Sequence, residues 1–242
     1  ERRFVGALYK AIKGQGPPSA EWKTLIQEAR TLFYQGKFDS GVVVAKKALE
    51  IAERERGPRR PSMAASLNRL AEFYRVQGQY AAAEPLYQRS LAIRESARNL
   101  DHPEVGQSLN NLAQLYVAQG QHAAAEPLFK RSLAIREKAH GAGHPDVATT
   151  LNGLAELYSE QGKFAEAEAL YLQAWAIRPS WDIATNLGAC ELDLGKHREA
   201  AKYLSYALRN FPARGKAEER KVIEGRLALA KERVISLRVV VN

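Results

Sequence analysis

The sequence predicts an all-α protein, a solenoid made of two-helix repeats in tandem. Two observations lead to this prediction: glycines recur at a fixed interval, and an apolar pattern with helical periodicity recurs with them. Five glycines carry the period, the first four at equal intervals and the fifth after a shorter one: Gly36, Gly78, Gly120, Gly162 and Gly195. Internal repeats of about 20 to 50 residues are typical of stacked repeat architectures, so we expect about five repeats packed in a row.

Each repeat is expected to begin with a helix, named helix A here, that ends just before the glycine. The three central repeats share a Leu, Leu, Ala and Tyr in which the later residues follow the first at offsets of 3, 4 and 7: Leu67, Leu70, Ala71 and Tyr74; Leu109, Leu112, Ala113 and Tyr116; Leu151, Leu154, Ala155 and Tyr158. These offsets bring the four side chains onto one face of an α-helix. Helix A is therefore predicted to bury this stripe and to leave its opposite face available.

A second helix, named helix B, is expected after each glycine. Its pattern also recurs in successive repeats: Ala83, Leu86, Tyr87, Ser90, Leu91 and Ile93; Ala125, Leu128, Phe129, Ser132, Leu133 and Ile135. The glycine gives the connection the freedom to reverse direction, so helices A and B are expected to form an antiparallel pair. In the 42-residue repeats the extra positions, residues 94–101 and 136–143, are expected to lengthen helix B by about a turn.

These motifs resemble those of the tetratricopeptide repeat family. Residues matching the three small positions of the family pattern are present in the second and fifth repeats: Ala71, Ala83 and Ser90; Gly188, Ala200 and Ala207. The 42-residue form, with His-Pro-acidic-Val before helix A and Leu-Asn-x-Leu-Ala within it, is similar to the repeats of kinesin light chains and their bacterial relatives. These runs are residues 102–105, 109–113, 144–147 and 151–155. The resemblance covers about residues 21–212 and implies a right-handed α-solenoid whose helices A line a concave groove.

The predicted organisation has four parts. They are an N-terminal helix and linker at 1–20, the repeat array at 21–212, a capping helix at 213–236 and the start of a β domain at 237–242. Within the array the repeats span approximately 21–62, 63–104, 105–146, 147–179 and 180–212. Apolar residues at helical spacing among charged ones predict the capping helix, and a run of β-branched residues over 235–241 predicts the strand.

A partner is expected to bind the face of helix A that lies opposite the apolar stripe. The second and third repeats differ chiefly at these positions, whereas most of their helix B is unchanged. The predicted groove residues come from the three central repeats: Asn68, Arg69, Glu72, Arg75, Gln107, Asn110, Asn111, Gln114, Thr149, Asn152 and Glu156. The repeat scaffold thus keeps its core and varies its groove.

One position at the groove edge does not vary among the central repeats. Asn68, Asn110 and Asn152 form a ladder with one asparagine in each of these repeats. An amide side chain both donates and accepts hydrogen bonds, so such a row can pair with the backbone of an extended peptide. The alternative is that these asparagines pair with the adjacent helix and stiffen the stack. We predict the binding role, and the sequence leaves both interpretations open.

The sequence offers no pattern typical of catalysis, cofactor binding or metal binding. The five histidines fall in loops and turns, and none forms a metal-binding motif such as HExxH. Phosphate-binding loops and nucleophile elbows are also absent from the sequence, and Cys190 is the only cysteine. We therefore expect a protein without a cofactor that is not an enzyme.

The net charge of +9 does not form a single basic patch in the sequence, because the excess lies at the two ends of the chain. Nucleic-acid binding needs clustered basic residues, so no nucleic-acid partner is expected. The sequence has no apolar run of about 18 residues, so we expect no membrane insertion and a cytoplasmic location.

Together these features predict a scaffold or adaptor that holds a peptide or protein segment in the groove. The alternative is that the repeats form a regulatory module of a larger signalling enzyme whose catalytic domain lies outside these residues. The open reading frame on either side of the segment would distinguish the two.

Overall fold

The computed structural model of the protein describes residues 19–56, 61–97, 100–212 and 217–240. These ranges contain eleven α-helices and no β-strand. The helices are α1 (Ala20–Tyr34), α2 (Phe38–Arg56), α3 (Pro61–Val76), α4 (Tyr80–Ala97), α5 (Pro103–Ala118), α6 (His122–His140), α7 (Pro145–Glu160), α8 (Phe164–Ile177), α9 (Trp181–Asp193), α10 (His197–Arg209) and α11 (Ala217–Val240). The predicted N-terminal helix and linker lie almost wholly outside the described residues. The predicted all-α fold is confirmed, with α1, α3, α5, α7 and α9 as helices A and the five helices that follow them as helices B.

The chain divides into two compact units, one up to Leu115 and one from Tyr116. In the first unit α1 packs on α2, α2 on α3 and α3 on α4, and α1 also contacts α3. In the second unit each helix from α6 to α11 packs on the next, and α7 also contacts α9. Contacts between successive helices A are what stacked helix pairs require, so the repeats stack within each unit.

The turn between helices A and B is the same in all five repeats. The five glycines at this turn have φ between 69° and 74°, a conformation that L side chains rarely adopt. The backbone N–H that follows the glycine reaches back to the last turn of helix A, from Lys37 to the oxygen of Leu32 (3.0 Å) and from Gln79 to that of Tyr74 (2.8 Å). This is the hydrogen bond of a Schellman motif, which closes the end of a helix.

Helix B is longer in the second and third repeats than in the fourth and fifth, as predicted. The helices α4 and α6 have 18 and 19 residues, whereas α8 and α10 have 14 and 13. The added length carries Arg94 and Arg136, each 5% exposed. Arg136 Nη1 donates to the backbone oxygen of Asp146 (2.7 Å) and to Thr150 Oγ1 (2.8 Å). The longer helix B thus places an arginine that forms hydrogen bonds with the start of the next helix A.

The same contact is made by Arg94 in the first unit. Its Nη1 donates to the backbone oxygen of Glu104 and to Ser108 Oγ, both at 2.8 Å. Arg178 lies at the equivalent position of the fourth repeat but after the end of α8, where its 40% exposed side chain lies 3.5 Å from the Asp182 carboxylate. The buried arginine contact therefore depends on the longer helix B.

Helix A of the third and fourth repeats begins with a histidine cap. His144 Nδ1 accepts a hydrogen bond from the Asp146 backbone N–H (3.1 Å), and His102 Nδ1 accepts one from that of Glu104 (3.2 Å). The proline after each histidine is the first residue of the helix, and an acidic residue lies in the first turn. The predicted helix start is confirmed, and the histidine supplies an acceptor that the helix end lacks.

In the core of the first unit, a missing side chain on α2 is matched by a large one on α3. A Cβ at Gly41 of α2 would lie 2.1 and 2.2 Å from two ring carbons of Phe73, which is fully buried in α3. The other repeats have alanine at the position of Gly41 and a smaller side chain at that of Phe73: Ala83, Ala125, Ala167 and Ala200; Leu115, Leu157 and Cys190. The larger ring of Phe73 thus occupies the space left by the missing methyl group.

The end of the described chain corrects one prediction. Helix α11 continues to Val240, so the strand predicted to begin near Ile235 is wrong for residues 235–240. The β-branched residues here lower helix stability by only a fraction of a kcal/mol each, about 0.7 at most. Extending an existing helix costs less than a strand that has no neighbour to pair with. Ile223 and Ala230 of α11 are buried in the second unit, where α11 packs on α10.

None of the described helices combines the length and the apolar character needed to cross a membrane.

Candidate functional site

In the first unit, predicted groove residues of the second and third repeats form one polar network. Asn111 Nδ2 donates to Asn68 Oδ1 (3.1 Å) and to Glu72 Oε1 (3.2 Å). Asn68 Nδ2 donates to the same carboxylate oxygen (3.3 Å), and Arg69 pairs with the other oxygen of Glu72. The Glu72 carboxylate is therefore held by groups from both α3 and α5.

Burial and neighbouring charges act in opposite directions on the pKa of the Glu72 carboxyl. Burial raises the pKa of this carboxyl above its ordinary value, while the charges of Arg69 and Arg75 and the amides of Asn111 and Asn68 act to lower it. The burial effect is the larger. The half-buried Glu72 carboxyl and the two arginines beside it make this part of helix A a polar surface rather than an apolar one.

The asparagine ladder makes contacts between neighbouring helices A. Asn68 Oδ1 accepts from Asn111 in the first unit, and Asn152 Oδ1 accepts from Asn186 Nδ2 (3.3 Å) in the second. These are the contacts that the stacking alternative predicts. Asn110 differs, because its side chain is 2% exposed and its Oδ1 has no hydrogen-bond partner among the described residues. Ligand binding by the ladder stays a prediction.

The predicted groove residues differ in exposure. Three are buried (Asn68, Asn110 and Asn111), six are half-buried (Arg69, Glu72, Arg75, Gln114, Thr149 and Asn152) and two are exposed (Gln107 and Glu156). A ligand on this face would therefore first meet arginine, glutamate and glutamine side chains rather than the buried amides.

The second unit contains a cleft of about 400 Å³ between helix A of the fifth repeat and the C-terminal helix. One wall is Ala189, Leu192 and Asp193 of α9. The remaining lining residues come from the start of α10 and from α11: His197, Arg226, Leu229 and Arg233. The three residues of α9 occupy the helix A positions of Glu72, Arg75 and Val76 in the second repeat. This cleft was not predicted from the sequence, because the predicted groove residues all lie in the central repeats.

The lining of this cleft is positively charged and partly apolar. The lining contains two arginines, Arg226 and Arg233, and one carboxylate, Asp193. The Nδ1 atom of His197 is buried and has no hydrogen-bond partner among the described residues. Leu192 and Leu229 supply apolar surface, and Leu229 is 44% exposed. This combination suits a ligand group that carries a negative charge beside an apolar side chain.

A titratable pair, Glu191 of α9 and Glu168 of α8, lies in the second unit. Glu191 of α9 is 3% exposed, and burial together with the charge of Glu168 raises its pKa to about 7, against the opposing charge of Lys196. The folded chain therefore favours the protonated form of Glu191, whose ordinary pKa is 4.5. The contribution of this protonated carboxyl to stability is complete below pH 4.5 and is lost as the pH rises through about 7.

Glu191→Gln is therefore expected to remove this loss, because the amide resembles the protonated acid. The variant should be more stable than the native chain at about pH 8, by about 1 kcal/mol, and not more stable at about pH 4. Urea denaturation at the two pH values measures this difference. The exposed Glu166→Gln on α8 is the control and should retain the native pH dependence. An unchanged pH dependence in Glu191→Gln would contradict the assignment.

One group of side chains in the described residues has the composition of a metal site: His140, His144 and Asp146. One potential ligand atom from each residue lies within 4.8 Å of the others. No such grouping was predicted from the sequence. The signal in the sequence is the spacing of the three residues over 140–146, in the loop between two repeats.

Comparisons with known proteins agree with this architecture. Two family models, each described as tetratricopeptide repeat, match the sequence, one over residues 62–138 and 118–180 and the other over residues 152–215. No curated protein matches the sequence.

Several solved structures are similar in fold. A Podosopora anserina protein assigned to the kinesin light chains, with nearly identical TPR-like repeats, is 26% identical over 76% of this chain and 92% of its own, with a TM-score of 0.62. BtubC (BKLC) from P. vanneervenii is 23% identical over 78% and 88%, with a TM-score of 0.59. TTC0263, a thermophilic TPR protein of Thermus thermophilus, is 19% identical over 86% and 98%, with a TM-score of 0.65. The helix pairs, their glycine turns and these matches show that the chain belongs to the tetratricopeptide repeat family, whose repeats mediate protein–protein interactions.

Proposed function

We propose that this chain is a scaffold or adaptor that binds a peptide or protein segment on the helix A face of its repeats. One observation supports the proposal: three residues of α9 that occupy the helix A positions of Glu72, Arg75 and Val76 line a cleft in the fifth repeat. The cleft has the volume of an ordinary small-ligand pocket, about 300 to 1,000 Å³. It can therefore hold one or two side chains of a bound segment.

The chemistry of the cleft favours a segment with an acidic residue next to an apolar one. Arg226 and Arg233 offer charged donors, and a hydrogen bond to a charged group contributes about 1.5 to 3 kcal/mol. Leu192 and Leu229 can cover an apolar side chain, and a fully buried leucine or phenylalanine contributes about 1.5 to 3 kcal/mol. Neither contribution alone gives tight binding, so both are expected to act together on the same segment.

The first unit offers a candidate binding surface of its own, formed by Arg69, Glu72 and Arg75. Arg69 and Glu72 are already paired, with side chains 22% and 17% exposed. Because the pair is formed before a ligand arrives, little side-chain freedom is lost on binding. Charged groups at fixed positions select a partner by charge complementarity more than they increase its affinity.

The proposal is tested by selecting peptides from a displayed random library against the purified chain. The affinity of a selected peptide is then measured by fluorescence anisotropy for the native chain and for Arg233→Glu, a charge reversal in the cleft. We expect at least a ~10-fold loss, equivalent to about 1.4 kcal/mol. Lys231→Glu makes the same reversal on the same helix, at an exposed position outside the cleft lining, and should change the affinity less than about twofold.

Two results would contradict the proposal. If the library yields no binding peptide, the helix A face does not capture extended segments. If selected peptides bind Arg233→Glu and the native chain equally well, they bind elsewhere on the chain and the cleft is not the site.

A further inference from the structure

The loop between α6 and α7 brings two histidines and an aspartate together. His140 is the last residue of α6, His144 is the cap of α7 and Asp146 lies in its first turn. The two imidazole rings are stacked, with centroids 4.2 Å apart and planes 22° from parallel. The Asp146 Oδ2 atom lies 4.0 Å from His140 Nε2 and 3.7 Å from His144 Nδ1.

The backbone of the loop fixes this arrangement. Gly141 has φ 85° and ψ 156°, and its N–H donates to the oxygen of Glu137 (2.9 Å). Its own carbonyl oxygen accepts from the N–H of His144 (3.2 Å). A side chain at Gly141 would be strained at this φ. The short turn Gly141–Ala142–Gly143 therefore places both histidines on the same side of the loop.

We propose that His140, His144 and Asp146 bind one zinc ion. Two imidazoles and one carboxylate with water in the fourth position make a common open zinc site. Around tetrahedral zinc with bonds of about 2.0 to 2.1 Å, neighbouring ligand atoms are about 3.3 Å apart. In the loop the two distances to Asp146 are 3.7 and 4.0 Å and all three ligand atoms lie within 4.8 Å of one another, so the side chains must move closer together around an ion. The exposed His140 side chain can close that gap by rotation.

The surroundings favour zinc over a hard cation such as Ca²⁺ or Mg²⁺. The buried guanidinium of Arg136 donates to the backbone oxygen of Asp146, and its charge attracts the Asp146 carboxylate. Hard cations depend on several oxygen ligands and on their negative charge, which a single, partly neutralised carboxylate does not supply. Imidazole nitrogen suits zinc, so the two histidines provide the selectivity.

Zinc binding competes with the cap of α7. When no metal is bound, His144 Nδ1 accepts a hydrogen bond from the Asp146 N–H. The same lone pair would have to bind the ion. The released N–H belongs to an exposed residue and can bond to water. In exchange the ion links the end of α6 to the start of α7. Binding should therefore stabilise the second unit, and protons should compete with the ion as the pH falls.

The preceding repeat supplies an internal control. His102 caps α5 through the same contact and is followed by Glu104, but the position equivalent to His140 is an arginine, Arg98. A cap histidine and an acidic residue are thus present there without the second imidazole. We therefore expect one zinc ion per chain.

Isothermal titration of the untagged chain with zinc chloride near neutral pH tests the proposal. The native chain should bind one ion per chain and melt at a higher temperature with zinc than without it. His140→Gln and Asp146→Asn keep the cap acceptor and the backbone donor, and each should weaken zinc binding at least ~10-fold. His102→Gln, the control, should bind zinc as the native chain does.

The same measurements can overturn the proposal. It fails if the native chain binds no zinc, or if His140→Gln binds zinc as tightly as the native chain. Melting without zinc distinguishes a lost ligand from a lost fold, since His140→Gln should then melt at the native temperature. The proposal is independent of peptide binding, so failure of either leaves the other unchanged.

Discussion

Replacing Gly41 with alanine is expected to destabilise the first unit by about 2 kcal/mol. The added Cβ would lie about 2 Å from the Phe73 ring, and overpacking of this kind costs about 1 to 3 kcal/mol. Phe73 is fully buried and its ring packs on Phe33, with centroids 5.6 Å apart, so it has little room to move. The gain in helix propensity from glycine to alanine, about 1 kcal/mol, offsets only part of the cost. Urea denaturation followed by circular dichroism measures the difference.

A second substitution should restore the lost stability. The double variant Gly41→Ala with Phe73→Leu installs the pair found at Ala83 and Leu115, and it should unfold near the native midpoint. Phe73→Leu alone should cost about 1 kcal/mol, because it leaves a cavity beside Gly41. Gly225→Ala makes the same change in α11 with nothing within 4 Å of the new Cβ, so it should be neutral or stabilising. If the double variant is as unstable as Gly41→Ala, the clash with Phe73 is not the cause.

Arg136→Met is expected to destabilise the second unit by about 2 kcal/mol. Methionine fills much of the space of the arginine stem, but it cannot donate to the Asp146 backbone oxygen and Thr150 Oγ1. Hydrogen bonds from a charged donor contribute about 1.5 to 3 kcal/mol, more than neutral ones. Thermal and urea unfolding of the variant measure the loss.

The chain contains its own controls for this prediction. Arg94→Met should have an effect of the same size in the first unit, because the contacts of Arg94 with Glu104 and Ser108 repeat those of Arg136. Arg178→Met should change stability by less than about 0.5 kcal/mol, because its side chain is 40% exposed and its ion pair with Asp182 is a surface pair. Equal effects at Arg136 and Arg178 would show that burial of the arginine on the longer helix B does not contribute to stability.

The repeat architecture could be predicted from the sequence because it depends on local requirements. The glycines at the turns have φ near 70°, which no other residue adopts easily. The stripe on helix A depends only on spacing along one helix. Both kinds of signal are present within a single repeat and recur in the next, so the period, the turns and the helix pairs follow from the sequence alone.

The contacts within the candidate site needed the structure. Counting angles along helix A places Asn68 and Asn111 on the same face of their helices, but it does not show that their amides pair with each other. The cleft was missed for a similar reason, since Arg226 and Arg233 reach it only through the packing of α11.

Two further findings that the sequence did not predict concern a loop between repeats and the last described helix. The cluster of His140, His144 and Asp146 lies in a loop that metal-binding motifs on helices do not describe. The strand predicted near Ile235 was wrong because residue preference alone is weaker than the cooperativity of an existing helix.

The arginine contact at the end of the longer helix B has a consequence for how such a chain could grow. Arg94 and Arg136 each hold a backbone oxygen, an acceptor that every amino acid provides, together with one hydroxyl group. The polar contact at the junction therefore requires only a serine or threonine from the incoming unit. A gene segment encoding one full repeat could be duplicated and joined in frame without a new polar partner for the arginine, and each copy could then diverge on its exposed positions.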